Sequence, residues 1–352
     1  MALTVLSAGY PLAQVSQHTA GGAEQVLSML DAALVRAGHK SLVLAPAGSR
    51  CEGLLIQAHV PSGTLDETAK REARREFSRL LNRTLSEFPV DVVHMHGLDF
   101  FEYLPQCNIP VVVSLHLPLA WYAPHALLSK SANVKLVCVS KSQAKTAPPQ
   151  APIQTVIENG VEVRNFHVTS KKSDYAVVLS RICPEKGVHL AIDAAERAEV
   201  DLIVAGAVFE YPEHRSYFDR MVRPRLNERV RFMGPIGGQR KAQLLAGARC
   251  LLLPSLALET SSLVAMEAMA SGTPVIAFPN GALADIVMTG RTGFLVDDAE
   301  SMCRAIKQVD SISSSVCRHE AEMRFSSDRM FAEYLGLYST LSRQDRHQLQ
   351  AA

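Results

Sequence analysis

The sequence predicts an α/β protein built from two doubly wound domains. Three observations carry that prediction. Short apolar runs alternate with stretches of helical periodicity along nearly the whole chain. The runs are β-branched and apolar on both faces, as parallel strands covered by helices on each side must be. The chain has 352 residues, too many for one ordinary core and suited to two.

Strand candidates in the first half are "LTVLSA", "KSLVLA", "VDVVHMH", "PVVVSLH", "VKLVCVS" and "IQTVIEN". A helix follows "AGGAE", with Val26, Leu27, Leu30 and Leu34 on one face and Gly38 as its stop. Another runs from about Glu67 to Phe88 behind a Thr64-x-x-Glu67 capping-box pattern, its apolar face formed by Phe77, Leu80, Leu81, Leu85 and Phe88. The polar stretch "VRNFHVTSKKSD" reads as an interdomain linker, so one domain covers residues 1–165. The second, 166–325, offers "DYAVVLS", "VDLIVAG", "RVRFMG", "CLLLPS", "TPVIAF" and "GFLV" as strands. A last helix, "SSDRMFAEYLGLYSTL", occupies 326–343, and the polar tail after it is expected to fray.

Bulk composition excludes several classes. Lys and Arg number 36 against 35 Asp and Glu, so no global charge recommends a nucleic-acid partner. No apolar run is long enough to span a bilayer, and the N-terminus has no basic region of a signal peptide, which points to the cytoplasm. The seven cysteines are scattered and never form C-x-x-C, so they read as small buried hydrophobes in a reducing compartment rather than disulfides or metal ligands. Lys70, Arg71, Arg74, Arg75, Arg79 and Arg83 form a basic run on the second helix. Glu67, Glu72 and Glu76 lie at pairing distance along it, so a solvated face is preferred over peripheral contact with a membrane surface.

Ligands of doubly wound sheets bind at the carboxyl ends of strands. After the first strand, Gly21 and Gly22 open a helix and let backbone N–H groups approach a phosphate; plain turn chemistry explains them as well. His94 and His96 end one strand and His116 the next. Since His94 and His96 alternate, they are expected on opposite faces, which favours packing or neutral hydrogen bonding over zinc. In the second domain Arg181 and Lys186 flank a strand-to-helix turn, a fork and a point charge suited to a pyrophosphate. Then comes "PSLALETSSLVAMEAMASGTPVIAF". Thr260, Ser261 and Ser262 can cap the helix that follows, whose start is a second anion site. Glu267 is the one charged residue from Ser261 to Ala270. A buried carboxylate needs a partner, and the phosphate-binding groups around it point to a nucleotide diol. Glu259, with seven residues between it and Glu267, would accept from sugar hydroxyls.

The E-x7-E element with "AMASGTPVIA", together with "GGAE", "DVVHMHG", "SLH", "CVSKS", "IENGVE", "LSRICPEKG", "RVRFMGPI", "LLPS" and "GRTGFLV" in order, resembles the retaining glycosyltransferases of family 4. The resemblance implies the GT-B fold, two Rossmann-like domains facing across a cleft, with a C-terminal helix crossing back to the N-terminal domain. It implies a nucleotide-sugar donor, UDP-linked most often, on the second domain and a glycan, lipid or small-molecule acceptor on the first. By the same resemblance Glu267 binds ribose, Glu259 contacts the transferred sugar, Arg181 and Lys186 hold the diphosphate, and His116 lies beside the donor sugar. Ile236, Ser261, Ser262, Leu263 and Val264 complete the donor set. Thr260-Ser261-Ser262 stands where the family has a Gly-bearing, often aromatic stretch, and Glu162 where it has Asp. No Asp-x-Asp occurs in the chain, so no divalent metal and no cofactor are expected. Alternatives are a nucleotide-sugar epimerase of the same fold and an inactive nucleotide-binding subunit. A nicotinamide dehydrogenase lacks its glycine fingerprint here.

Overall fold

The computed structural model of the chain describes residues 2–17, 19, 21–59, 66–128, 131–169 and 171–351. It contains two compact units, Met1–Asn159 with Asp328–Ala352, and Gly160–Ser327.

Unit 1 is built on seven parallel strands: β1 (Thr4–Ala8), β2 (Lys40–Pro46), β3 (Leu54–Ala58), β4 (Val92–Met95), β5 (Val111–Leu115), β6 (Val134–Cys138) and β7 (Ile153–Val156). They lie in the order β3-β2-β1-β4-β5-β6-β7, so the order reverses between β1 and β4. Helices α1 (Gly22–Arg36), α2 (Glu67–Glu87), α3 (Pro124–Leu127) and α4 (Lys141–Ala144) belong to it. The strand at β3 was missed from sequence, because "LLIQA" is an edge strand with Leu54 50% exposed and Gln57 facing solvent. With β3 counted, His94 lies on the fourth strand and His116 follows the fifth.

α1 ends as the sequence predicts: Gly38 takes φ +77°, and the His39 N–H returns to the Leu34 carbonyl at 2.9 Å. The proposed cap at Thr64 lies outside the described residues. The N-cap of α2 is Asp66, which accepts from the Thr68 and Ala69 amides at 3.0 and 2.9 Å. The basic run on α2 is largely paired. Lys70 bonds Glu67, Arg79 bonds Glu76, Arg83 bonds Glu87, and Arg74 reaches Asp99 at 2.6 Å.

Unit 2 carries six parallel strands: β8 (Tyr175–Leu179), β9 (Asp201–Ala205), β10 (Val230–Phe232), β11 (Cys250–Leu253), β12 (Val275–Ala277) and β13 (Gly293–Leu295). Their order is β10-β9-β8-β11-β12-β13, with the reversal between β8 and β11. Its helices are α5 (Val188–Ala198), α6 (Pro212–Tyr217), α7 (Gly238–Gly247), α8 (Leu263–Ala270), α9 (Leu283–Ile286), α10 (Ala299–Gln308) and α11 (Ser314–Phe325). The sheet is buried on both faces. Val177, Leu179, Leu251 and Leu253 enter one core cluster, while Ala176, Val178, Cys250 and Leu252 enter the other.

The stretch read as a linker is instead packed. Val163 and Phe166 are buried in the core of unit 2, and Thr169 and Lys172 donate to the Ala246 carbonyl at 2.9 and 2.8 Å. Two buried apolar residues are enough to anchor this largely polar run. The last helix, α12 (Ser327–Ala351), belongs to unit 1 from Asp328 onward. It does not stop near residue 343, since no Gly or Pro follows Gly336 to interrupt it. Tyr334 and Tyr338 bury their rings in unit 1. Among the described residues no helix is long and apolar enough to cross a membrane.

Candidate functional site

Arg181 and Lys186 follow β8, and Glu259, Ser261–Val264 and Glu267 follow β11, the two strands on either side of the reversal in strand order, whereas Ile236 follows the edge strand β10. The turn after β8 runs through Arg181 to a 3-10 turn at Pro184–Lys186. Gly187 then takes φ +59°, and a Cβ there would lie 2.2 Å from the Pro254 carbonyl. Only glycine brings this turn so close to the end of β11. The Arg181 side chain is exposed, and among the described residues it makes no hydrogen bond.

Lys186 points its ammonium at Glu259 Oε1, and the Ser255 hydroxyl donates to the same oxygen at 2.6 Å. Glu259 is held from behind by a loop the sequence reading left without a role. The Ala282 amide donates to the Glu259 carbonyl at 2.7 Å, and Asn280 Nδ2 donates to the Ser255 carbonyl at 2.6 Å. Gly281, at φ +65°, leaves room where a Cβ would meet the Glu259 carbonyl at 2.2 Å. The readable signal was "PNG" directly after a strand, a turn whose glycine permits close backbone approach.

α8 starts without a side-chain cap. Ser262 is the N-cap residue, but its hydroxyl does not bond the first-turn amides, contrary to the expectation for Thr260-Ser261-Ser262. The Ser261 hydroxyl is buried and has no partner among the described residues. An uncapped helix start beside an unpartnered hydroxyl is an anion-binding arrangement. Leu263 and Val264 open the helix and Ile236 packs nearby, all three against the same core cluster.

Glu267 is the fifth residue of α8, one turn inside the helix. It is 6% exposed, and its partner is protein: Lys241 of α7 reaches its Oε1 at 2.5 Å. Burial raises the Glu267 carboxyl above its usual range, and the Lys241 charge and hydrogen bond oppose that rise. The reading that sought its partner in a ligand alone is corrected. Lys241 was missed because "GGQRKAQLL" looks like an ordinary exposed helix start; only the fold sets it beside α8.

Unit 1 holds the other predicted residues. His94 and His96 are not on opposite faces: β4 ends at Met95, alternation ends with it, and the two rings lie 4.0 Å apart. His96 Nδ1 is 2.9 Å from His116 Nε2. His94 is bonded on both nitrogens, to Ser114 Oγ at 2.8 Å and Tyr338 Oη at 2.6 Å. Burial holds His94 and His96 well below the usual imidazole range and pushes His116 down to about 4, so all three are neutral at pH 7. His96 Nε2 is buried without a partner among the described residues. At the start of α1 the anion place is already taken. Glu24 folds back until its Oε2 stands 1.8 Å from where a Gly21 Cβ would be. Gly21 therefore stands beside the chain's own carboxylate.

Among the described residues, one cluster has its ligand atoms close enough to hold a metal: Cys183, Glu185 and His214. All seven cysteines are free thiols.

Comparison with known proteins agrees with this layout. A model described as Glycosyltransferase Family 4 matches residues 20–165, and one described as Glycosyl transferases group 1 matches 173–310. The glycogen synthase of Mycobacterium tuberculosis is 29% identical over 187 residues, 49% of this chain and 44% of that protein. The chain thus spans about half the length of the curated relatives it matches. Among solved structures, sucrose-phosphate synthase from Thermosynechococcus elongatus superposes with a TM-score of 0.80 at 19% identity, covering 96% of this chain and 99% of that one. Anabaena HepE in complex with UDP and glucose gives 0.73 at 20% identity, covering 96% and 100%. Two parallel sheets of seven and six strands, matched half by half in chain order, make this chain a member of the GT-B glycosyltransferases of family 4.

Proposed function

We infer that the protein is a retaining glycosyltransferase that moves a sugar from a nucleotide-diphospho-sugar to an acceptor hydroxyl. The observation that carries this is the spaced pair Glu259 and Glu267, each gripped by its own lysine, on either side of the uncapped start of α8. Carboxylates so placed accept from hydroxyls. The bare helix start and the Ser261 hydroxyl offer donors to phosphate. The arrangement suits a molecule with a diol at one end, a diphosphate between and a second polyol at the other.

Glu267 takes the ribose diol and Glu259 the donor sugar. Arg181, Lys186 and the amides of Ser262, Leu263 and Val264 receive the diphosphate, with Ile236 against the nucleotide. Gly21 and Gly22 open α1 in unit 1, the other helix start that the sequence offers as a phosphate site. The phosphates are assigned to unit 2 rather than to them, because Glu24 already covers that helix start. Lys186 changes partner on binding, from Glu259 to the diphosphate, which frees Glu259 for sugar hydroxyls. The bond from the anomeric carbon to the diphosphate breaks, and the acceptor oxygen bonds the same face. The acceptor proton leaves with the diphosphate oxygen. Lys186 and Arg181 stabilise the charge that develops there. His116, neutral, hydrogen-bonds the sugar.

Uridine is the base proposed, supported by solved structures of the similar HepE with UDP and with UDP-glucose. Unit 1 is assigned the acceptor, a glycan, lipid or small molecule. Paired charges on α2 lend no support to a membrane contact. Seven free thiols suit the cytoplasm. Transfer is assigned to protein groups without a divalent metal, since no Asp-x-Asp is present to hold one on the diphosphate. Calorimetric titration with UDP, GDP and ADP, followed by release of nucleoside diphosphate from a panel of donors, tests the reading. Folded protein that binds none of them overturns it.

A further inference from the structure

We propose that Cys183, Glu185 and His214 form a zinc-binding site that ties α6 to the turn carrying Lys186. The three come from two pieces of chain. Cys183 caps the 3-10 turn at Pro184–Lys186, Glu185 lies within that turn, and His214 stands in the first turn of α6. One ligand atom from each lies within 4.8 Å of the other two. Cys183 is fully buried and His214 8% exposed, while Glu185 faces solvent, so the pocket is closed on the thiol and imidazole sides and open on the carboxylate side.

An independent observation points to a ligand here. His214 Nδ1 is buried and has no hydrogen-bond partner among the described residues. Aromatic rings surround the imidazole, Phe209 stacked at 6.1 Å and Tyr211 edge-on at 5.1 Å, and these cannot satisfy a ring nitrogen. Unpartnered buried polar groups are rare and call for an explanation.

The donor set selects the ion. Sulfur, nitrogen and one carboxylate oxygen suit zinc, four-coordinate with water at the fourth position. Magnesium and calcium take oxygen ligands and are excluded. Burial pushes the Cys183 thiol up to about 11, so the free site holds a thiol. Binding exchanges that proton for the ion: the S–H bond breaks, the S–Zn bond forms, and one proton leaves to solvent.

The site's reach follows from its neighbours. The Glu185 carbonyl accepts from the Leu256 amide at 2.7 Å. Lys186 comes next in the chain and pairs with Glu259. An ion at Cys183 therefore fastens α6, the 3-10 turn and the Ser255–Glu259 loop together. This link to donor binding rests on the transferase reading; the metal site does not. The zinc is not the ion that metal-dependent transferases keep on the diphosphate.

Cobalt(II) tests the site without nucleotide, donor or acceptor. Titrated into the full chain under reducing conditions, it is expected to bind one equivalent per chain. It should give a thiolate-to-cobalt charge-transfer band in the near ultraviolet and the intense visible bands of tetrahedral cobalt, both displaced by zinc. Cys183→Ser should abolish the charge-transfer band. Glu185→Gln, a surface change that leaves folding intact, should weaken binding tenfold or more. Cys51→Ser and Cys107→Ser, at the two partly exposed thiols elsewhere, should change nothing. Absence of the charge-transfer band in folded protein overturns the proposal. So does a band that survives Cys183→Ser, or an affinity indifferent to Glu185→Gln.

Discussion

Lys241 on α7 reaches Glu267 on α8 at 2.5 Å, and both side chains are largely buried, 18% and 7% exposed. Removing one member of such a pair strands the other. Lys241→Ala is expected to lower stability by about 3 kcal/mol, measured by urea denaturation at pH 7. The sign of its pH dependence follows. Burial already raises the Glu267 carboxyl, and without Lys241 nothing opposes that rise. A carboxyl raised in the folded state favours folding at low pH, so the deficit should shrink as pH falls toward 5. A deficit that grows on acidification refutes the pairing.

Glu267→Ala addresses the ligand role separately. If Glu267 receives a ribose diol, the folded variant should lose about tenfold to a hundredfold in nucleotide affinity, since hydrogen bonds to a charged group contribute roughly 1.5–3 kcal/mol. Calorimetry with UDP decides it. Wild-type affinity in a folded variant removes ribose from this carboxylate.

Lys186→Ala should cut turnover by about a hundredfold to a thousandfold, the range for losing one preorganised group at a developing negative charge. Its effect on thermal stability should be small by comparison, because Ser255 still donates to Glu259. Turnover within a few fold of wild type would take Lys186 out of the diphosphate site.

His116→Ala separates sugar from nucleotide. Turnover should fall while affinity for the free nucleoside diphosphate stays near wild type. Equal loss of both would move His116 away from the sugar.

Acid should destabilise unit 1 through its histidines. His94, His96 and His116 are neutral in the fold well below the ordinary 6.5, His116 down to about 4. Below 6.5 the unfolded chain binds the protons that the fold refuses, so stability should drop as pH falls from 6.5 toward 4. His94→Gln should lessen that slope. A urea midpoint as high at pH 5 as at pH 7 contradicts it.

Transfer or donor hydrolysis should continue in excess EDTA. Activity that disappears and returns with magnesium or manganese would mean a metal, not Arg181 and Lys186, meets the diphosphate charge.

Much of this was legible in the sequence. Buried parallel strands announce themselves, because apolar β-branched runs have no other use in a polar solvent; β3 was lost because an edge strand carries only half of that signal. Glu267 was legible as a charge out of place. Lys241, His96 as a neighbour of His94, and the Asn280–Gly281 support of Glu259 were not. Each depends on which elements the fold sets side by side, and nothing local in "GGQRKAQLL" or "HMHG" encodes that.

Unit 2 is one unbroken segment, whereas unit 1 is assembled from Met1–Asn159 and Asp328–Ala352. That division sets an order of events during synthesis. Tyr334 and Tyr338, which bond Ser114 and His94, are translated only after the whole of unit 2. At about 5–20 residues per second, the early sheet waits on the order of ten seconds or more with only the Ser114–His94 bond in place and one partner of each still missing. The unit that begins first matures last, and its final helix is the step that completes it.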